Sequence, residues 1–124
     1  MKTQPITPAR IEFGATAGTP PRAPQFDDLY HPHVCAAAQA RHVFLQGNGL
    51  PARWAGRRTF TVLEMGFGLG NNFLATWDVW RRDPARCERL FFVSVERHPP
   101  RHDDLVQAHA ASPWPELATL LLQA

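Results

Sequence analysis

The chain has 124 residues, enough for one small domain, and its 44% content of hydrophobic residues argues against wholesale disorder. No apolar run approaches the length of about 18 residues that a membrane span needs, so we expect no association with a membrane. The formal net charge of +2 is too small to indicate a nucleic-acid binder by itself.

The cysteines and the N-terminus indicate the cellular compartment. Cys35 and Cys87 are isolated and fit no metal-ligand spacing, which is typical of a protein in the reducing cytoplasm. The first five residues carry no apolar stretch behind their charge, which argues against a secretory signal. Only Lys2 among the 13 basic residues is lysine. Arginine suits phosphates and stacked bases, but such usage also follows from genome composition.

The first part of the chain, residues 1–58, has weak periodicity. Residues 11–13 favour a short strand, and the Gly-Thr-Pro-Pro run that begins at Gly18 favours a turn. Alanine-rich residues 33–44 predict a helix, and the glycine-containing segment that follows predicts another turn before a loop or poor short helix. We interpret residues 1–58 as an extension or cap on the domain that follows.

The pattern sharpens in residues 59–124. Residues 59–64 and 89–96 are β-branched and aromatic runs typical of buried parallel strands. Between them, one apolar helical face predicts a helix that ends before Pro84: Phe73, Leu74, Trp77 and Trp80. We expect Trp77 and Trp80 to belong to the core rather than to form base-stacking platforms. Residues 103–111 and 114–122 predict two further helices.

The order of strand, glycine turn, helix and strand predicts an α/β fold with a doubly wound, mostly parallel sheet. Residues 59–124 supply its first βαβα part. Only two clear parallel strands are present, whereas such a sheet needs several and has both faces covered. We therefore expect the chain to be the front half of the domain, truncated before the next strand.

The turn that follows the first buried strand is the strongest candidate for a ligand site. Gly66, Gly68 and Gly70 allow positive φ angles and let a ligand approach the backbone. The helix that follows points its first N–H groups toward the same space, and we expect Asn71 or Asn72 to cap it.

Two cofactor classes compete for this turn. Dinucleotide-binding proteins use G-x-G-x-x-G, whereas the spacing here is G-x-G-x-G. Glu64 precedes the turn, where a carboxylate repels a pyrophosphate but suits the ammonium and sulfonium charges of S-adenosylmethionine. Glu96 closes the second strand and can accept hydrogen bonds from ribose hydroxyls in either class. The alternative is that the glycines form a tight turn that binds nothing.

The chain resembles the N-terminal methyltransferase domain of the bifunctional tRNA 5-methylaminomethyl-2-thiouridine biosynthesis proteins (MnmC type), which also occurs as stand-alone enzymes. The resemblance rests on several pieces that occur in the same order as in the family and together span nearly the whole chain. These pieces are residues 11–13, 18–20, 26–30, 41–50, 64–74 and 91–99.

The resemblance implies the front half of a Rossmann-like class I methyltransferase. It implies transfer of a methyl group from S-adenosylmethionine to the primary amine of 5-aminomethyl-2-thiouridine, the wobble nucleotide in the anticodon loop of certain tRNAs. It also implies that the catalytic acidic motif lies beyond Ala124. FAD is implied only if an oxidase domain follows. A catalytically incomplete cofactor-binding fragment and an NAD-dependent oxidoreductase are the alternatives.

The expected site residues follow from the turn and from the resemblance. The cofactor-binding residues are Glu64, Gly66, Phe67, Gly68, Gly70, Asn72 and Glu96. Asp28 and Tyr30 are expected on the substrate side, with solvated acids in a turn as the alternative reading for Asp28 and its neighbour Asp27. His98 and His102 have a spacing that metal ligands can have, but no third ligand stands nearby and Pro99 and Pro100 intervene, so no metal site is expected.

Overall fold

A computed structural model describes residues 2–16, 19–26, 28–30 and 36–124. Gly18, Asp27 and residues 33–35, which include the predicted start of the first helix, lie outside the described residues. Among the described residues, no helix is long and apolar enough to cross a membrane.

The N-terminal part is built from short elements. Strands β1 (Arg22–Ala23) and β2 (Asp28–Leu29) pair antiparallel, and Glu12 forms an isolated bridge with Arg22 where the sequence predicted a strand over residues 11–13. Helix α1 (Ala36–Gln39) continues directly into a π-helix over Ala40–Leu45. The predicted helix is therefore present, but it changes from an α-helix to a π-helix along its length.

Two 3-10 helices follow, at Gln46–Asn48 and Ala52–Trp54. The second falls in the segment for which the sequence predicted a loop or a poor short helix. Trp54 is fully buried there, and its Nε1 donates to Asp83 Oδ2 at 2.7 Å. This bond ties the N-terminal part of the chain to the end of the helix that follows the glycine turn.

The second part of the chain has the predicted order of elements. It consists of β3 (Thr59–Met65), α2 (Asn71–Arg82), β4 (Arg89–Val95), α3 (His102–Ala108) and α4 (Pro115–Gln123). Strands β3 and β4 pair in parallel along their whole length. The fold is therefore α/β, as predicted, with a βαβ unit at its centre.

Helix α2 begins differently from the prediction. Gly70 is its N-cap residue, with φ of 81°, and no side chain caps the helix. The prediction that Asn71 or Asn72 caps the helix is therefore wrong, because both lie within its first turn and the Asn72 side chain binds elsewhere. The helix ends at Arg82, before Pro84, as predicted.

The core lies between one face of the β3–β4 sheet and the helices. Leu74 of α2 is fully buried there, and Trp77 and Trp80 pack against the same cluster, as predicted. Helix α4 contributes Leu117 and Ala118. These contacts between helices hold α2, and with it the glycine turn, in a fixed position relative to the strand ends.

Toward the carboxyl ends of the strands, the opposite face of the sheet is apolar and exposed. Alternate residues of both strands point to it, and between 48% and 78% of the surface of each is accessible: Leu63, Met65, Phe91, Val93 and Val95. A doubly wound sheet has both faces covered. Within the described residues, the helices cover one of the two faces of the β3–β4 sheet.

Candidate functional site at the carboxyl ends of the parallel strands

The glycine turn joins the carboxyl end of β3 to α2, beside the carboxyl end of β4. The amide of Gly66 donates to the carbonyl oxygen of Val95 at 2.7 Å, which extends the strand pairing into the turn. Gly66, Gly68 and Gly70 have φ angles of 94°, 56° and 81°. Residues with side chains rarely adopt such angles, so the backbone geometry explains the three glycines.

The three glycines differ in the space around them. A Cβ atom added at Gly66 would meet nothing within 4 Å, and one added at Gly68 would meet only Tyr30 Cδ1, at 3.7 Å. A Cβ atom at Gly70 would lie 2.7 Å from Phe67 Cζ and 3.3 Å from Leu121 Cδ2. Gly66 and Gly68 therefore border open space, whereas Gly70 is packed against the protein.

Glu96 follows β4 and binds the turn directly. Its Oε2 accepts from the Gly68 amide at 2.9 Å, and its Oε1 accepts from the His98 amide at 2.9 Å. Each carboxylate oxygen has two lone pairs, so both retain capacity for a further donor. The side chain is thus held rigidly at the edge of the open space beside Gly68.

Glu64 lies beneath the turn, only 5% exposed. Its Oε2 accepts from Asn72 Nδ2 and its Oε1 accepts from Ser94 Oγ, both at 2.9 Å. Burial raises the pKa of Glu64 above its ordinary value, the two hydrogen bonds oppose this, and the charge of Glu96 adds to the rise. A buried carboxylate bound on both oxygens anchors its neighbours, so Glu64 fixes the orientation of Asn72.

Among the described residues, two cavities flank the turn. One, of about 350 Å³, lies between the β1–β2 hairpin and the segment after β4, and its walls include Phe26, Asp28, Tyr30, Glu96, Arg97 and His98. The other, of about 310 Å³, lies between the turn and the N-terminal helices, and its walls include Tyr30, Gln39, Phe44, Gly66, Phe67 and Asn72. Glu64 lines neither, so it acts on this space through Asn72.

Tyr30 lines both cavities. Its ring lies against Gly68, and its amide donates to Pro21 O at 2.9 Å, which fixes it at the end of the hairpin. Burial raises the pKa of Tyr30, and the negative charges of Glu96 and Asp104 raise it further. The hydroxyl is therefore a neutral hydrogen-bonding group at physiological pH.

The structure brings the predicted site residues together around the carboxyl ends of β3 and β4. Phe67 lines the second cavity and packs against Phe73, with ring centroids 6.2 Å apart. Asp28 lines the first cavity, and its Oδ1 accepts from the Leu29 amide at 2.8 Å. Whether any of these residues binds a ligand stays a prediction.

Sequence reasoning missed some residues of the strand ends and of the first cavity. Ser94 faces Glu64 because the two residues are partners in the parallel register, and only a predicted register would have revealed it. Phe26 and Arg97 line the first cavity; both lie in segments that carry the family resemblance, but neither was predicted to be a site residue.

The two histidines that were considered as metal ligands make other contacts. His98 Nδ1 lies 3.1 Å from Thr7 O, and His102 Nε2 lies 3.0 Å from Leu122 O. In the described part of the chain, no three His, Cys, Asp or Glu side chains are grouped so that they could hold a metal ion.

The raised pKa of Glu64 predicts a pH-dependent effect of Glu64→Gln. The native protein keeps this proton to a higher pH than the unfolded chain, so its stability falls as pH rises from the ordinary to the raised pKa. Glutamine carries no charge and can satisfy Asn72 and Ser94. We expect equal melting temperatures for variant and native protein at pH 4 and a variant melting a few degrees higher at pH 7, measured by circular dichroism.

Glu88→Gln is the matched control for this prediction. Glu88 is exposed and its Oε2 lies 3.7 Å from Arg58 Nε, so its substitution should give no comparable gain at pH 7. A Glu64→Gln variant less stable than the native protein at pH 7 would contradict the assignment of a desolvated carboxylate.

With this geometry established, comparison with known proteins gives clear matches in sequence. The chain is 63% identical over 124 residues to the tRNA 5-methylaminomethyl-2-thiouridine biosynthesis bifunctional protein MnmC of Methylibium petroleiphilum, covering 100% of this chain and 19% of that protein. It is 60% identical over 116 residues to the protein of the same name from Aromatoleum aromaticum, covering 94% of this chain and 18% of that protein. No family model matches the chain.

A solved structure gives the match in fold. MnmC2 from Aquifex aeolicus superimposes with a TM-score of 0.63 at 19% sequence identity, over 94% of this chain and 37% of that chain. At this identity the match establishes a shared fold and nothing about activity. The chain is therefore similar over its whole length to part of the bifunctional MnmC proteins, and it spans about a fifth of the length of those relatives.

Proposed function

We propose that the chain forms the cofactor-binding part of a Rossmann-like class I methyltransferase. On this proposal, it takes part in methyl transfer from S-adenosylmethionine to the amine of 5-aminomethyl-2-thiouridine at the tRNA wobble position. The observation that carries the proposal is the glycine turn, which is open at Gly66 and Gly68 and lies beside the anchored carboxylate of Glu96. The names of the MnmC relatives support the tRNA substrate.

The residues present fit S-adenosylmethionine. Glu96 would hold the ribose hydroxyls with the lone pairs that the Gly68 and His98 amides leave free. The open surfaces of Gly66 and Gly68 would let the cofactor lie against the backbone. Asn72, held by Glu64, would present an oriented amide to the cofactor's polar end.

The charge around the turn disfavours a dinucleotide. Glu64 lies beneath the turn and Glu96 stands at its edge, whereas a pyrophosphate needs donors and positive charge at this point. Among the described residues that line the second cavity, into which the turn faces, none is a lysine or an arginine. A cationic ligand gains from this arrangement.

Bound S-adenosylmethionine supplies an electrophilic methyl group. The contribution of this chain would be to hold and orient two reactants, which can supply most of the rate of a bimolecular displacement. Tyr30, at the boundary of the two cavities, is placed to contact both the cofactor side and the substrate side. The wobble base would have to leave the anticodon stack to reach this site.

A second candidate is a chain that binds the cofactor without completing catalysis. The exposed apolar face of the sheet favours it, because a doubly wound sheet has both faces covered, and the chain spans only 19% of the Methylibium relative. Both candidates predict the same cofactor site.

Calorimetric titration of the purified chain with S-adenosylhomocysteine tests the cofactor site. We expect saturable binding to one site and no binding of NAD under the same conditions. Tight NAD binding without a response to S-adenosylhomocysteine would overturn the proposal.

Transfer of a labelled methyl group to tRNA that carries 5-aminomethyl-2-thiouridine separates the two candidates. We expect binding of the cofactor product but little or no turnover by residues 1–124 alone. Robust turnover would exclude the second candidate, since it would show that this chain contains every group the reaction needs.

A further inference from the structure

The glycine turn is held by a buried histidine that the predicted site does not include. His109, only 8% exposed, lies at the carboxyl end of α3, and its Nε2 is 2.7 Å from the carbonyl oxygen of Leu69. Since a carbonyl oxygen only accepts, Nε2 carries the hydrogen and donates. Leu69 is the residue between Gly68 and Gly70, so this bond reaches the centre of the turn.

The hydrogen bond from His109 restrains one peptide plane. The carbonyl of Leu69 and the amide of Gly70 belong to the same planar unit, and the Gly70 amide donates to Phe67 O at 2.9 Å. The Gly70 carbonyl in turn accepts from Leu74, in the first bond of α2, at 3.0 Å. His109 and Phe67 therefore hold both edges of the plane that leads from the turn into α2.

A turn rich in glycine needs such restraint. Glycine loses more backbone entropy on ordering than any other residue. Gly68 and Gly70 have positive φ angles and carry no side chain that would limit the alternative backbone conformations. Leu69 is 5% exposed, so water does not replace the histidine at its carbonyl without rearrangement.

His109 is itself fixed. Its amide donates to Leu105 O at 3.0 Å, and its carbonyl accepts from the Ser112 amide at 3.1 Å. The imidazole thus extends from a backbone that is hydrogen-bonded on both sides, and it transmits the position of α3 to the turn.

We propose that His109 is a positioning residue for the glycine turn. It orders the Leu69–Gly70 peptide before the cofactor binds, so the affinity for the cofactor depends on a donor at this point, although His109 itself does not line the space that the cofactor would fill. This inference rests on the proposed function, but the ordering of the turn is measurable without any ligand.

The test compares His109→Asn with His109→Gln. Glutamine places its amide nitrogen about where Nε2 lies and keeps the donor, whereas the amide of asparagine is too short to reach Leu69 O. We expect about tenfold faster exchange of the Gly70 amide in His109→Asn, measured by NMR, and about tenfold weaker binding of S-adenosylhomocysteine, the size expected for one lost hydrogen bond. His109→Gln should recover most of both losses.

His102→Asn is the matched control. His102 lies on the same helix and also has its Nε2 within hydrogen-bonding distance of a main-chain carbonyl, that of Leu122, but this bond joins α3 to α4 and not to the turn. We expect Gly70 exchange and ligand affinity to stay as in the native chain. If His109 had a purely structural role, His109→Asn and His109→Gln would both be less stable than the native chain, and glutamine would not restore Gly70 exchange or ligand affinity.

The outcomes separate this inference from the proposed function. If the native chain binds no S-adenosylhomocysteine, the proposed function fails, and Gly70 exchange still tests the histidine. If His109→Asn leaves Gly70 exchange unchanged, the positioning role is overturned even when binding is intact. If His109→Asn does not fold, native-like exchange and affinity in His109→Gln support the role, and loss of both in a folded His109→Gln overturns it.

Discussion

Substitution of Gly70 by alanine is expected to lower the free energy of unfolding by about 2 kcal/mol and to abolish measurable binding of S-adenosylhomocysteine. The φ angle of 81° alone costs a residue with a side chain about 1 kcal/mol. The added Cβ would also stand 2.7 Å from Phe67 Cζ and 3.3 Å from Leu121 Cδ2, so the Phe67 ring must move. Phe67 lines the second cavity, and its displacement changes the surface on which the cofactor would lie.

Gly56→Ala separates the two contributions. Gly56 has a similar φ angle of 71°, yet a Cβ atom there would meet nothing within 4 Å. Its substitution should cost about 1 kcal/mol and leave ligand binding intact. The reduced entropy of the unfolded chain affects both variants equally and cancels in the comparison.

Urea unfolding and calorimetric titration measure both effects. Equal loss of stability in Gly70→Ala and Gly56→Ala would show that the Phe67 contact yields without cost. Normal ligand affinity in Gly70→Ala would contradict the assignment of this turn and Phe67 to the cofactor site, since the ring has to leave its position.

The glycine turn could be predicted from the sequence because its signals are local. A β-branched run, three glycines at alternate positions and an apolar helical face follow one another within residues 59–80, and each reports on its own neighbours. The structure has β3, the turn and α2 in that order. The placement of Glu64 and Glu96 at adjacent strand ends followed from the parallel pairing.

The contacts that hold the turn could not be predicted in the same way. Ser94 reaches Glu64 across the sheet, and His109 reaches Leu69 across 40 positions of the chain, so both depend on the tertiary arrangement of α3 and the strands. The predicted asparagine cap was wrong for a related reason: Asn72 binds the buried Glu64 instead of the helix N-terminus. A buried carboxylate demands partners more strongly than an exposed helix end does.

The exposed face of the sheet shows a further limit of sequence patterns. The run in β4 is continuously apolar over Leu90–Val93, which predicts burial on both faces. In the structure, Phe92 packs against the helices, whereas Phe91 is 50% exposed. The pattern indicates what the strand is suited to contact, and tertiary structure decides which contacts the described chain makes.

Substitution of Glu96 by alanine is expected to weaken the binding of S-adenosylhomocysteine by about a hundredfold. The change removes the carboxylate that would hold the ribose, and it leaves the Gly68 and His98 amides without their acceptor. Hydrogen bonds to a charged group contribute more than neutral ones, and here one side chain serves the turn and the ligand together. Calorimetric titration measures the affinity.

Glu96→Gln and Glu88→Ala are the comparison variants for the loss of affinity in Glu96→Ala. Glutamine keeps one oxygen that can accept from the Gly68 amide, so we expect only about a tenfold loss of affinity. Glu88 immediately precedes β4, at the opposite end of the strand from Glu96, and its removal changes the net charge equally without touching the turn. Equal weakening by Glu88→Ala and Glu96→Ala would reveal a long-range charge effect. Loss confined to Glu96 would place the effect at the carboxyl end of β4, because a general field from the protein's charge would not distinguish the two ends of one strand.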